Sequence, residues 1–195
     1  MSENQLKALK FWRVSIQYLH LSQSCSEECA KANNEFVVVT DEEISLDEYQ
    51  EKTKWSDFNL AIPVLFNFYH GLETLLKGFL TIGGLEWPKE HKLSAFFISF
   101  KEHYPDSGLI GHLNKYLSIN DSPELLKGFF DEGARSIDMY YQALKYPEST
   151  KGQEYDHLSI LFKGAGGSEF YSTLSADIGN IRCAAVSEGK ALLGI

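Results

Sequence analysis

FNLAIPVLFNFYHGLETLLKGFLTI, residues 58–82, decides the fold. It is the longest strongly apolar segment of the chain, yet His70, Glu73 and Lys77 stand in its middle. Leu65, Phe68, Leu72, Leu75, Leu76 and Phe79 recur at three- and four-residue steps, which places them on one broad stripe of a helix. Asn67, His70, Glu73, Thr74 and Lys77 gather on the other side at helical steps. A helix this apolar belongs at the centre of the fold, so its polar residues are either paired or functional. Pro63 would forfeit one backbone bond, and a helix start or a kink is expected close to it.

Working outward, residues 3–33 read as a long first helix. Leu6, Leu9, Trp12, Ile16 and Leu19 form one stripe; Phe11, Val14, Tyr18, Leu21, Cys25 and Cys29 form a second beside it. Asn33-Asn34 ends that helix, and the β-branched residues of 35–40 suit a short strand. Ser45 followed by Glu48 is a capping box that opens a helix near residue 46, with an interruption at Trp55-Ser-Asp57. Gly83-Gly84 ends the central helix. Residues 91–103 form another amphipathic helix with Leu93, Phe96, Phe97 and Phe100 inward, and 109–118 a short one. Ser122 and Pro123 start a helix that runs to about residue 145. Residues 146–168 are irregular, with an apolar patch at 158–162 that could pair with 35–40 as a two-stranded ribbon. A final helix over 169–193 buries Phe170, Leu174, Ile178, Ile181, Ala185 and Leu192. The pattern predicts one domain over 1–195, with 35–57 as an acidic connecting segment. Its class is all-α: an up-and-down bundle of about five to six helices with at most a minor two-stranded β element.

The totals narrow the function. A net charge of −9 is concentrated in 35–57, which alone carries −6 and leaves −3 over the other 172 residues. No basic tract tracks a phosphate backbone, which disfavours broad nucleic-acid binding but leaves room for a local anion pocket. No uncharged run approaches the length of a membrane span, and MSENQLKALKFW lacks the features of a signal peptide, so a soluble cytoplasmic protein is expected. Three cysteines, Cys25, Cys29 and Cys183, form no metal-type pairing, and no His/Asp/Glu group has ligand spacing; no metal and no cofactor are expected. Gly164-Ala-Gly-Gly167 precedes a helix but lacks the lysine and βαβ context of a phosphate-binding loop.

Three pieces, in order, resemble the HEPN superfamily, the "higher eukaryote and prokaryote nucleotide-binding" helical domains. FYHGLETLLKGFL (68–80) is similar to the family's apolar helix with a Glu and, four residues on, a Lys; His91-Lys-Leu93 resembles its H-x-L; Lys145-Tyr-Pro147 resembles its R-Y-P. The likeness spans 58–147. It implies a helical bundle, often a homodimer. Some members assist nucleotidyltransferases, some act in phage defence or toxin–antitoxin systems, and many are metal-independent ribonucleases. The ribonuclease branch uses an R-x(4–6)-H motif on a late helix, Arg stabilising phosphate charge and His moving the proton. Here Arg182 has no His after it, and Arg135 meets one only at 157. The formal match is Arg13-Val-Ser-Ile-Gln-Tyr-Leu-His20, two turns apart on one face of the first helix.

Each candidate has a plain structural alternative. Glu73 and Lys77 make an i,i+4 pair in the favoured order, or, with His70, line a pocket for an anion or nucleotide. His91 at a helix start either caps or binds. Tyr146, with Tyr140, Tyr141 and Tyr155, either lines a base-stacking cleft or edges the core. His157, in the irregular segment, is solvated or binds. Three functions follow: a non-catalytic HEPN-like domain for a nucleotide-type ligand or a partner protein; a ribonuclease acting on RNA with catalytic Arg13 and His20; or an interaction bundle whose acidic 35–57 segment meets a basic partner.

Overall fold

A computed structural model describes residues 1–87, 92–132 and 136–195, the side chains of 130–132 excepted. Eight α-helices occur among the described residues: α1 Glu3–Lys31, α2 Leu46–Thr53, α3 Asp57–Ile82, α4 Leu93–His103, α5 Leu109–Leu117, α6 Glu124–Glu132, α7 Ile137–Ala143 and α8 Gly164–Leu193, with a 3₁₀ turn at His157–Ile160. The expected all-α class is observed, with eight helices among the described residues where about five to six are expected. None of the described helices is long and apolar enough to cross a membrane.

The frame is α1 against α3 and α8. Its residues repeat by sevens. Ala8, Ser15, Ser22 and Cys29 of α1 are all fully buried, and Ser15 and Ser22 face α3 in a register that steps backward from Gly71 to Val64. The Ser15 hydroxyl donates to the Gly71 carbonyl at 2.7 Å, and the Ser22 hydroxyl to the Val64 carbonyl at 3.2 Å. The two helices therefore run antiparallel, and a seven-residue repeat keeps one seam in contact along both. Small residues on the seam bring the backbones close, and large ones fill its flanks. Leu19 sits over Gly71, and Trp12 over Gly78, where a Cβ would lie 2.3 Å from its ring. The same Trp12 ring lies 3.3 Å from where a Cβ at Gly189 of α8 would stand, which wedges it between two helices.

This seam corrects the stripes read on the first helix. Leu6, Leu9, Val14 and Leu21 are exposed; Trp12, Leu19 and Cys29 are buried as read, and Ser15, Ser22 and Ser26 are wholly buried besides. Leu192 of α8 is likewise exposed. The inward residues expected on α3 and α4 are buried as read.

Seven of the helix starts fall into two groups. α1, α2 and α7 are capped locally by the side chains of Ser2, Ser45 and Ser136. Four others take their acceptor from another part of the chain. Asn34 Oδ1 accepts from the Asp57 N–H at the start of α3, at 2.5 Å. Asp138 of α7 accepts from the Ser94 N–H at 2.9 Å and its hydroxyl at 2.5 Å at the start of α4. Glu188 of α8 accepts from the Leu109 N–H at 3.3 Å at the start of α5, and from the Ser107 hydroxyl at 2.6 Å. At the start of α8, Asp57 accepts from the Phe162 N–H at 2.9 Å and the Lys163 N–H at 2.7 Å, while Asn34 Nδ2 donates to Asp57 at 2.8 Å. An anion at a helix N-terminus satisfies orphan donors and the helix dipole together.

These distant caps explain several departures from the sequence reading. α8 starts at Gly164, not near 169, because Asp57 holds its entrance and Gly167 packs where a Cβ would lie 2.1 Å from Asn34 Nδ2. The Gly164–Gly167 run thus belongs to a helix whose start is already held by the chain's own carboxylate. Ser136 starts α7 afresh, so the single helix expected to 145 is two; residues 133–135 lie outside the described set. Pro63 lies inside α3 because that helix begins at Asp57. No strand forms among the described residues: Val37 and Val39 are exposed, 158–162 contains the 3₁₀ turn, and the lone β-bridge joins Glu148 and Glu154. β-Propensity without a partner edge yields no strand.

Two substitutions test the frame. Asp57→Ala strands two part-buried backbone donors and removes one of the two acceptors of the Asn34 amide, and an unfolding free-energy loss of about 2–5 kcal/mol is expected in urea titrations. Gly78→Ala forces Trp12 from its seat and is expected to cost about 1–3 kcal/mol, seen as a lower Tm with helix content retained.

Candidate functional site

His70, Glu73 and Lys77 form one line on α3, at i, i+3 and i+7, on the side away from the α1 seam. Three other pieces close over this line: Trp87 from the loop after α3, Phe96 from α4, and Tyr141 from α7. Glu73 is 5% exposed and Lys77 8%. The Lys77 ammonium lies 2.6 Å from Glu73 Oε1, and 5.1 and 5.6 Å from the ring centres of Phe96 and Trp87. Aromatic faces and the carboxylate together replace the water that this cation gives up.

The second oxygen of Glu73 receives the Tyr141 hydroxyl at 2.9 Å. The Tyr141 oxygen in turn lies 2.7 Å from His70 Nδ1, which is itself 3.6 Å from Glu73 Oε2. Burial alone would raise the Glu73 carboxyl, but the His70, Lys77 and Tyr141 donors and the Lys77 charge outweigh it and lower it to about 2. Burial, followed by the neighbouring Glu73 charge, raises the Tyr141 phenol well above its usual range. An ionised carboxylate offers acceptors alone, so the Tyr141 proton points to Glu73. Its oxygen must then accept from His70 Nδ1–H, and in a neutral imidazole that leaves Nε2 as a lone-pair acceptor.

Around this core stands an aromatic wall. Phe66 lies nearly parallel to both His70 (centroids 5.8 Å apart, 11° between planes) and Tyr141 (6.1 Å, 19°), and Tyr18 of α1 meets His70 edge-on at 4.7 Å. Lys145, just past α7, sets its ammonium 3.8 Å from the centre of the Tyr141 ring. Its side chain is exposed, and among the described residues it makes no ion pair. Partial burial lowers its pKa, with Glu73 opposing and Lys77 reinforcing the shift.

The structure thus gathers three of the predicted site residues and adds two. Tyr141 and Lys145 were present in the sequence as a cleft tyrosine and the first residue of Lys145-Tyr-Pro147; their i,i+4 spacing puts both on one side of the chain, but nothing local shows that this side meets Glu73. Tyr146 turns away, 58% exposed, to line a separate cavity of about 780 Å³ with Pro147, Gln153 and Tyr155. His157 donates Nε2–H to the Ala143 carbonyl at 2.7 Å and packs its ring 5.5 Å from Phe129, a structural pin for the end of α7. His91 lies outside the described residues. Arg13 and His20 are both exposed on α1, and Arg13 borders a groove against α8. No cluster of His, Cys, Asp and Glu suited to a metal occurs among the described residues.

Glu73 also makes stability depend on acid. Its carboxyl lies below the ordinary 4.5 in the folded state, so its contribution is present above that value and is lost as pH falls toward about 2. Urea titrations from pH 7 to pH 2 should show a shallower acid loss for Glu73→Gln than for the parent, with the variant about 3 kcal/mol less stable at pH 7 because Lys77 loses its counter-charge. An unchanged acid slope would assign the effect to another group.

Compared with protein-family models, characterised proteins and solved structures, the chain matches none.

Proposed function

We propose that this chain is a HEPN-like, non-catalytic binding domain that takes a nucleotide-type anion at the edge formed by His70, Phe66 and Lys145. One observation carries the reading. The buried carboxylate is satisfied from within by Lys77 and Tyr141, whereas at the edge of the same network Lys145 is exposed and the His70 side chain 32% so, with hydrogen-bonding capacity to offer a ligand. A cation for phosphate, an oriented acceptor for an amino or hydroxyl group, and a parallel aromatic stack for a base suit such a ligand. The family resemblance is supported by the all-helical fold and by the position of the Glu-x-x-x-Lys pair on its central helix.

In this reading Glu73 and Lys77 are positioning residues, held too deep to serve as exchangeable base or anion clamp. Tyr141 transmits their order to His70. Calorimetry with a panel of nucleoside mono- and triphosphates is the test. Lys145→Ala and His70→Ala are expected to weaken binding about tenfold or more, each with helix content intact; Tyr141→Phe should weaken it less while lowering Tm. Nucleotide binding that ignores both substitutions would sink the proposal. Metal-independent RNA cleavage in EDTA that His20→Ala abolishes would favour the ribonuclease reading instead.

A further inference from the structure

Residues 35–40, Glu35-Phe-Val-Val-Val-Thr40, have the composition of a strand and no strand to join. The chain passes through them without a turn or bend and with negative φ at every residue, so it is extended. Burial alternates as in a half-covered strand: Phe36 and Val38 are part-buried, while Val37 is 59% and Val39 93% exposed. Val37, Val38 and Val39 make no hydrogen bond among the described residues.

One edge of this segment is covered. The Tyr49 hydroxyl of α2 donates to the Phe36 carbonyl at 3.0 Å, which turns the edge carrying Phe36 toward α2. In an extended chain the N–H and C=O of one residue share an edge, and those of its neighbour take the other. Val37 and Val39 therefore present their N–H and C=O groups on the edge away from α2. A row of unpaired donors and acceptors beside exposed valines is a template for another strand. Apolar surface continues next to it: the Phe162 ring lies 5.2 Å from that of Phe36 and 5.1 Å from that of Phe58, and Phe58 and Phe162 are both exposed.

Charge at the two ends says which strand fits. Glu35 precedes the valines, and Asp41, Glu42 and Glu43 follow them; all four are exposed, without an ion pair among the described residues. No Lys or Arg stands between Lys31 and Lys52. A second copy of the segment centred on Val38 would set Glu35 against Asp41 when antiparallel, and against another Glu35 when parallel. Like charges directly opposite are destabilising, so self-pairing is opposed. A strand with Lys or Arg at its ends meets attraction at the same positions.

We propose that residues 36–40 are an acceptor edge for another protein, an extended segment of which, with apolar residues at alternate positions and Lys or Arg at both ends, adds to Val37 and Val39 as a β-strand. Main-chain bonds hold the segment, the valines and the Phe58–Phe162 ledge take its apolar side chains, and the acids select its charge. This edge is separate from the ligand site at His70 and Lys145, and the proposal does not rest on that site.

Calorimetry on the full chain tests it, with a short synthetic peptide of alternating valine and threonine carrying paired lysines at both ends. Saturable binding is expected, with a bound-state infrared amide band of paired strands. Val39→Pro removes one edge N–H at a residue whose φ is already negative, and should weaken binding about tenfold or more. The same peptide N-methylated at alternate residues should lose binding to a similar degree. Asp41→Lys/Glu42→Lys should abolish binding of this peptide and confer binding of its counterpart with glutamate ends. Circular dichroism checks that the variants stay folded; all substituted residues are exposed. A parent that does not bind the lysine-ended peptide would overturn the proposal. Binding that survives both Val39→Pro and N-methylation would overturn it in favour of acidic attraction alone, and self-association of the parent that Val39→Pro abolishes would overturn it in favour of a second copy.

Discussion

A helix must find acceptors for the N–H groups of its first turn, and in this molecule four helices find them far away in sequence. Asn34 serves α3, Asp138 serves α4, Glu188 serves α5 and Asp57 serves α8. Each cap is also a tertiary contact, so the start of one helix depends on the placement of another. Asn34 and Asp57 are the tightest case. The amide accepts from the Asp57 backbone and donates to its carboxylate, and that carboxylate holds the entrance of α8. Three long helices are tied at one buried point, at the end of α1 where Asn33 and Asn34 take left-handed backbone angles. Asparagine tolerates that conformation better than most residues, so turn and cap are met by the same side chain.

The second constraint is closeness. α1 and α3 approach through Trp12, Ser15 and Ser22 against Gly78, Gly71 and Val64, and the serine hydroxyls bond directly to α3 carbonyls. Such a seam satisfies its polar groups internally and leaves the bulky side chains of α1 outside. That is why α1 carries both buried serines and exposed leucines, and why an apolar groove opens beside Trp12 where α1 meets α8.

The polar line on α3 follows the same logic of internal satisfaction. A carboxylate in this position would be costly alone; Lys77, Tyr141 and the rings of Phe96 and Trp87 make it tenable. The order imposed on Glu73 passes through Tyr141 to His70, so the buried pair shapes what the surface offers without taking part at the surface itself. The groups of this network nearest to solvent are those at its edge, His70 and Lys145.

By itself the sequence determined the all-helical class, the central place of residues 58–82, the Ser45–Glu48 cap and the His70, Glu73, Lys77 line, because helical periodicity and local caps are written within a few residues. It could not show that Ser15 and Ser22 are on the buried face of α1, since serine carries no apolar signal and their partners, the Gly71 and Val64 carbonyls, lie 56 and 42 residues away. Nor could it show α8 beginning at Gly164, because four loop-like residues become helical once Asp57, more than a hundred residues earlier, accepts from the entrance. Tyr141 and Lys145 were visible as residues but not as partners of Glu73, which lies 68 positions from Tyr141. Local periodicity fixes which segments are helices; what touches what is decided by hydrogen-bond donors and small residues whose complements lie on other elements, and only the packed tertiary structure brings those complements together.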